Sequence, residues 1–268
     1  MITSSRIGRY GNTCNAMFQF AAVIGMSKKT GIEYCIPRSD TYYDVNYKCN
    51  NTSIFDGFDL NVQELNLDAS KFKEVEFPFE YVNVSLKDYT DMKGYFQSEK
   101  YFQYAKQEVV DQFKFKSSVK TDVDKKIANG YYPDPSTCIS IHIRLGDYTD
   151  KRQFHPAMTS EYYSAASKIA GSDNYMIFSD DIDACKRMLG GSGNIHYAEE
   201  VNPFSALYHM SLCKNHIICN STFGWWGAWL GEMNNHSDDK KIIAPKNWFG
   251  AAHDYDSKDI IPDRWELL

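Results

Sequence analysis

The segment from His142 to Tyr148 (HIRLGDY) places an imidazole, a guanidinium and a carboxylate close together at the end of an apolar run. Arg144 offers a planar fork suited to bidentate phosphate binding. Gly146 lets backbone approach a ligand, and Asp147 is a candidate to orient Arg144 or to act on a substrate hydroxyl. A structural reading competes: Arg144 and Asp147 as a buried pair, with His142 hydrogen-bonded in the core. A second segment, Asn220 to Leu230 (NSTFGWWGAWL), runs from small polar residues into the densest aromatic stretch of the chain. Hydroxyls and backbone amides at a helix start attract anions, although an ordinary capping turn uses the same residues. Trp225, Trp226 and Trp229 read as packing that holds this turn rather than as a sugar platform. Together the two segments read as two sides of a site for a phosphorylated, sugar-bearing ligand.

Other clusters carry weaker chemistry. Ser179, Asp180, Asp181 and Asp183 follow an apolar run. Asp181 and Asp183 form a D-x-D pattern that suits a hard cation on a nucleotide-sugar diphosphate, but acids in the first turn of a helix are commonplace. The turn from Gly8 to Asn12 (GRYGN) brings backbone near a ligand without the G-x-G-x-x-G spacing of a dinucleotide loop. The seven histidines contain no H-x-x-x-H pair, which argues against zinc.

The elements that position these residues follow from periodicity. Met17, Phe20, Ala21 and Ile24 mark a helix, with Gly31 as its C-terminal cap, and residues 32–36 read as a strand ended by Pro37. The stretch 41–84 has weak periodicity, and 98–116 reads as a helix. Residues 129–135 (NGYYPDP) form a turn cluster and mark a domain boundary near 130. Beyond it come a strand over 137–143, a helix over 160–170, a strand over 174–178 and a helix over 182–189. A strand over 195–198, a helix opening at Asn202-Pro203, a strand over 216–219, the tryptophan helix and a strand over 241–244 complete the series. Strands alternating with helices predict an α/β domain with a mostly parallel sheet. Ligands bind beyond the C-terminal strand ends of such sheets, where both opening segments fall.

These motifs jointly resemble the α-1,2-fucosyltransferases of glycosyltransferase family 11. The HIRLGDY segment is similar to that family's H-x-R-x-G-D-Y element, and NSTFGWWGAWL to its N-S-T/S-F-S-W-W-G-A-W-L element. Further matches are Gly8, Gly11 and Asn12 with Phe18-Gln19, residues 94–101 (GYFQSEKY), 178–181 (FSDD) and 244–249 (APKNWF). The chain departs from the pattern at Thr13, Leu145 and Gly224. The resemblance implies an α/β, GT-B-like fold of two Rossmann-like domains facing across a cleft. Residues 1–130 would face the acceptor and residues 131–268 would hold GDP-β-L-fucose, with no cofactor or metal required. Carried over by position, His142, Arg144, Ser179, Asp180, Asp181, Asn220, Ser221, Thr222 and Phe223 would bind the donor. Gly11, Asn12 and Gln19 would stand on the acceptor side. Asp147, His142 and Asn12 are the implied catalytic candidates, for an inverting transfer of fucose to O2 of a terminal galactose. The alternatives are a metal-dependent D-x-D transferase and a non-catalytic carbohydrate-binding module.

Composition bounds the rest. The 268 residues carry 29 basic and 35 acidic side chains without a basic stripe, which argues against nucleic acid or an anionic membrane as partner. Nineteen tyrosines and five tryptophans suit carbohydrate faces and aromatic cores equally. Seven irregularly spaced cysteines, several in apolar runs, suggest free thiols in a reducing compartment. The apolar run 16–26 lacks the features of a signal peptide, and no run reaches the ~18 apolar residues of a membrane span. The expectation is a cytoplasmic enzyme.

Overall fold

The computed structural model describes residues 1–9, 11–37, 53–65, 68–146, 153–171, 173–190, 193–234 and 239–268. The chain forms two compact units: Met1–Lys116 with Tyr255–Pro262, and Ser117–Asp254 with Asp263–Leu268.

In the first unit β1 (Ile2–Thr3) precedes α1 (Thr13–Thr30) and β2 (Ile36–Pro37). Then come α2 (Ile54–Gly57), β3 (Glu64–Leu65), β4 (Lys73–Glu76), β5 (Thr90–Lys93) and α3 (Lys106–Gln112). All pairings are parallel: β5 lies between β1 and β4, and β2 pairs with β3. Helix α1 is buried on nearly every side, Phe18 and Val23 as fully as Met17 and Ile24, which accounts for the apolar run 16–26. Gly31 caps it, donating its N–H to the Ser27 carbonyl at 2.8 Å. The helix expected over 98–116 is instead two 3₁₀ turns, Glu99–Tyr101 and Gln103–Ala105, followed by α3. Aromatic burial overrides the helical period here: Phe102 packs near Phe18 and Phe113 near Phe20, with ring centroids 6.5 and 5.9 Å apart. The late return is tied in by Asp259, which accepts the Tyr81 N–H at 3.1 Å and pairs with Lys100.

The second unit opens with α4 (Ser117–Ala128). Then follow β6 (Ile139–Ile143), α5 (Ser160–Ala170), β7 (Tyr175–Ser179), α6 (Ile182–Leu189), β8 (Ile195–Tyr197) and α7 (Pro203–Leu212). The series closes with β9 (Asn215–Ile217), α8 (Thr222–Asn234), β10 (Ile242–Ala244) and β11 (Glu266–Leu267). The division between units thus falls at Lys116/Ser117 and not near 130, because α4 belongs with α7. Ser205 Oγ donates to the Val119 carbonyl at 2.8 Å, and Tyr208 hydroxyl to Asp124 at 2.8 Å.

The sheet is wholly parallel, in the order β8-β7-β6-β9-β10-β11. Successive connections run outward from β6 in one direction, then restart beside it at β9. The strand order therefore reverses between β6 and β9, the place where doubly wound sheets bind ligands. On one face Ile139, Ile141 and Ile143 pack with Ala166 and Ala170 of α5. Helix α8 is almost entirely buried. Its Trp225 and Trp229 rings stack at 6.2 Å, Trp226 stands edge-on to both, and Trp225 meets Trp265 at 5.4 Å. The six described cysteines are buried free thiols. Among the described residues no helix is long and apolar enough to cross a membrane.

Because Trp229 is fully buried, Trp229→Ala should cost about 3–5 kcal/mol. Chemical denaturation followed by the fluorescence of the other tryptophans measures it; an unchanged midpoint would show that α8 does not depend on this packing.

Candidate active site

The two signature segments meet because β6 and β9 are neighbours. Their register sets Ile141 beside Ile217, so the chain leaving each strand emerges at one place. His142, the last polar residue of β6, brings Nδ1 to 3.3 Å from the Cys219 sulfur. Helix α8 closes over this ring. A Cβ on Gly224 would stand 2.8 Å from His142 Nδ1 and 3.2 Å from the Ile218 Cβ, so the departure from Ser at this position makes room for the imidazole. Phe223 brings its ring centroid to 5.1 Å from that of His142.

Burial first, and the charge of Arg144 second, push the His142 pKa down to about 3. Burial pushes the Cys219 thiol up to about 12. This wall is therefore neutral near pH 7. An imidazole with so low a pKa is a poor general base, and His142 is better suited to hold a ligand than to take its proton.

Arg144 follows the strand. Its Nε lies 3.2 Å from Asp180 Oδ2. The same carboxylate accepts the Leu145 N–H at 2.9 Å and the Gly146 N–H at 3.0 Å. Asp180, at the end of β7, is thus a partner of the arginine, and it organises the turn after β6. Asp147 lies outside the described residues. Asp181 is the N-cap of α6, accepting the Ala184 N–H at 2.8 Å, and its own N–H donates to Ser179 Oγ at 3.1 Å. Asp183 sits in the first turn of the same helix. Among the described residues no three His, Cys, Asp or Glu side chains cluster as a metal site would require.

A cavity of about 320 Å³ opens at these strand ends. It gathers His142, Arg144, Ser179, Asp180 and Phe223 from the predicted donor set. Its far wall, Ala198, Glu200, Val201, Pro203 and Ala206, was not anticipated. Glu200 had no signal in the sequence, since a pair of acids before a helix reads as a solvated face. The Asn220 amide donates to the Pro156 and Trp248 carbonyls, both at 3.0 Å, which ties two loops to the start of α8. Ser221 precedes α8 and Thr222 opens it. Neither lines the cavity, although both belong to the helix start next to Phe223.

In the first unit Gly11 has φ +71 and Asn12 is the N-cap residue of α1, with no side-chain capping bond. Gln19 has no exposed surface within α1. It packs within the core of the first unit.

Residues 2–266 match the family model described as glycosyl transferase family 11, and the chain belongs to that family. It is a glycosyltransferase of the galactoside α-1,2-fucosyltransferase type, which sets aside the non-catalytic reading. It is 29% identical to an alpha-1,2-colitosyltransferase of Escherichia coli over 213 residues, 75% of this chain and 70% of that one. It is 23% identical to the galactoside alpha-(1,2)-fucosyltransferase 2 of Gorilla gorilla gorilla over 255 residues, covering 86% and 69%. The fold is that of the fucosyltransferase NodZ from Bradyrhizobium, with a TM-score of 0.55 at 11% identity over 84% of this chain and 91% of that chain. It is GT-B-like.

The low pKa of His142 has a measurable sign. A histidine depressed below its usual 6.5 lends stability that is complete above that pH and lost as pH falls toward the folded value. The melting temperature should therefore fall below about pH 6.5, and His142→Asn should flatten part of that slope. In NMR the His142 ring should not titrate across about pH 5–8. A ring titrating near 6.5 would overturn the neutral wall.

Proposed function

We propose that this enzyme transfers L-fucose from GDP-β-L-fucose to a glycan hydroxyl, O2 of a terminal galactose, with inversion at the anomeric carbon and without a metal. The observation that carries the reading is the pairing of Arg144 with a cavity at the strand-order reversal of the second unit. A nucleoside diphosphate needs both: a cation for the phosphates and an enclosed pocket beside it. Solved structures of NodZ soaked with GDP-fucose and of POFUT1 in complex with GDP-fucose share the fold and add support.

The chemistry follows from charge. As the glycosidic C–O bond to GDP lengthens, the fucosyl ring becomes oxocarbenium-like and negative charge grows on the β-phosphate. Arg144, pre-oriented through its Nε by Asp180, meets that charge in a partly buried setting where electrostatics act strongly. The first N–H groups of α8, at Thr222 and Phe223, reinforce it with the positive end of the helix dipole. Phe223 and His142 flank the donor. The acceptor hydroxyl attacks from the opposite face. Asp147 takes its proton; in a more dissociative route, orientation by Asn12 alone suffices. The colitosyltransferase relative makes the donor sugar a point of choice, because colitose is fucose lacking the 3-hydroxyl.

Incubation with GDP-fucose, GDP-colitose and GDP-mannose and a panel of galactose-terminated oligosaccharides, with product linkage read by NMR, tests the reading. Expected is α-1,2-linked fucose with activity unchanged by EDTA; exclusive use of GDP-colitose, or loss of activity with chelator restored by a divalent cation, would overturn the donor or the metal-free part. Arg144→Ala should lower kcat with a loss of about 2–4 kcal/mol of transition-state stabilisation. Near wild-type kcat would remove Arg144 from the phosphate.

A further inference from the structure

Glu200 is a carboxylate in the wrong place for a surface acid. Its side chain is 1% exposed, and it lines the same cavity as His142 and Arg144. Oε1 lies 3.0 Å from His209 Nδ1, a ring with no exposure that packs on Tyr132 and Phe178 at centroid distances of 4.6 and 5.3 Å. Beside it the Tyr132 hydroxyl accepts the Glu199 N–H at 3.0 Å. Oε2 of Glu200 makes no well-formed hydrogen bond among the described residues, although the Tyr132 hydroxyl interacts with the carboxylate. A buried acceptor left unpaired is costly and calls for an explanation. The lining beside it is small and apolar, Pro203 and Ala206 from the first turn of α7, which leaves room for a flat ring.

We propose that Glu200 selects the nucleobase, its carboxylate accepting the adjacent N1–H and N2–H of a guanine edge. This rests on the donor reading above and adds to it the residue that recognises the base. The chemistry discriminates sharply. Guanine presents two neighbouring donors. Adenine presents one donor beside a ring-nitrogen acceptor, and uracil one N–H between two carbonyls that a carboxylate repels. Hypoxanthine keeps N1–H and loses the exocyclic amine, so inosine diphosphate isolates a single hydrogen bond. His209 acts as a positioning residue, holding Oε1 and leaving Oε2 as the acceptor for the base.

Calorimetric titration of the full chain with GDP, IDP, ADP, UDP and pyrophosphate tests this. Wild type should bind GDP about tenfold or more tightly than IDP, and ADP and UDP more weakly still. Glu200→Gln keeps an acceptor for His209 but turns an amide donor toward the base. It should lose GDP affinity at least tenfold and level GDP with IDP, while pyrophosphate affinity and the melting temperature hold. Retention of the GDP-over-IDP preference in Glu200→Gln would overturn the assignment and leave the donor reading standing, as would a parallel loss of pyrophosphate affinity. Wild type that binds no GDP would sink the donor reading itself, and the role of Glu200 with it.

Discussion

Arg144 carries a full charge on a side chain only 26% exposed, and what makes that tenable is the carboxylate of Asp180, 3.2 Å away across the gap between two strand ends. The same two oxygens also accept the N–H groups of Leu145 and Gly146. One side chain thus fixes the direction of the guanidinium and the path of the backbone that leaves β6. Removing it would strand a charge and free a turn together, a heavier loss than that of an exposed ion pair. The pair also explains why β7 must be in register with β6: Ile143 stands opposite Ser179, and the next residue is Asp180.

One wall beside that pair is kept electrically quiet. The His142 imidazole and the Cys219 thiol are held neutral by burial, so neither adds a charge next to Arg144. Helix α8 enforces this arrangement sterically, through the close approach of Gly224 to the ring, and its tryptophans anchor it. Rigidity matters because electrostatic stabilisation of a transition state works only when the dipoles are already in place.

Much of the second unit was legible in the sequence, because its strands and helices are short, strongly periodic and separated by capping residues. The helices Ser160–Ala170 and Ile182–Leu189 and the Asn202 cap fall where periodicity and capping residues put them. The reversal of strand order, and with it the meeting of the two signature segments, depends on pairing that no local pattern encodes. The Asp180 partner of Arg144 escaped for the same reason: it is distant in sequence and near in space. In the first unit the stretch after Ser98 misled because its aromatic residues satisfy α1 and not a helical stripe of their own. Glu200 was invisible, since only tertiary structure tells a buried acid from a solvated one.

The tie made by Asp259 has a consequence for how the molecule comes into being. The first unit is not a contiguous stretch: residues 255–262 belong to it, and Asp259 meets the Tyr81 backbone and Lys100 inside it. A chain emerging from the ribosome exposes Met1–Lys116 long before those residues exist. Domains that fold as they are made do so N-terminal first, and here that order is broken. The earlier-synthesised unit completes itself only after nearly all of the later one has appeared, with its unfinished surface in the care of the cell until then.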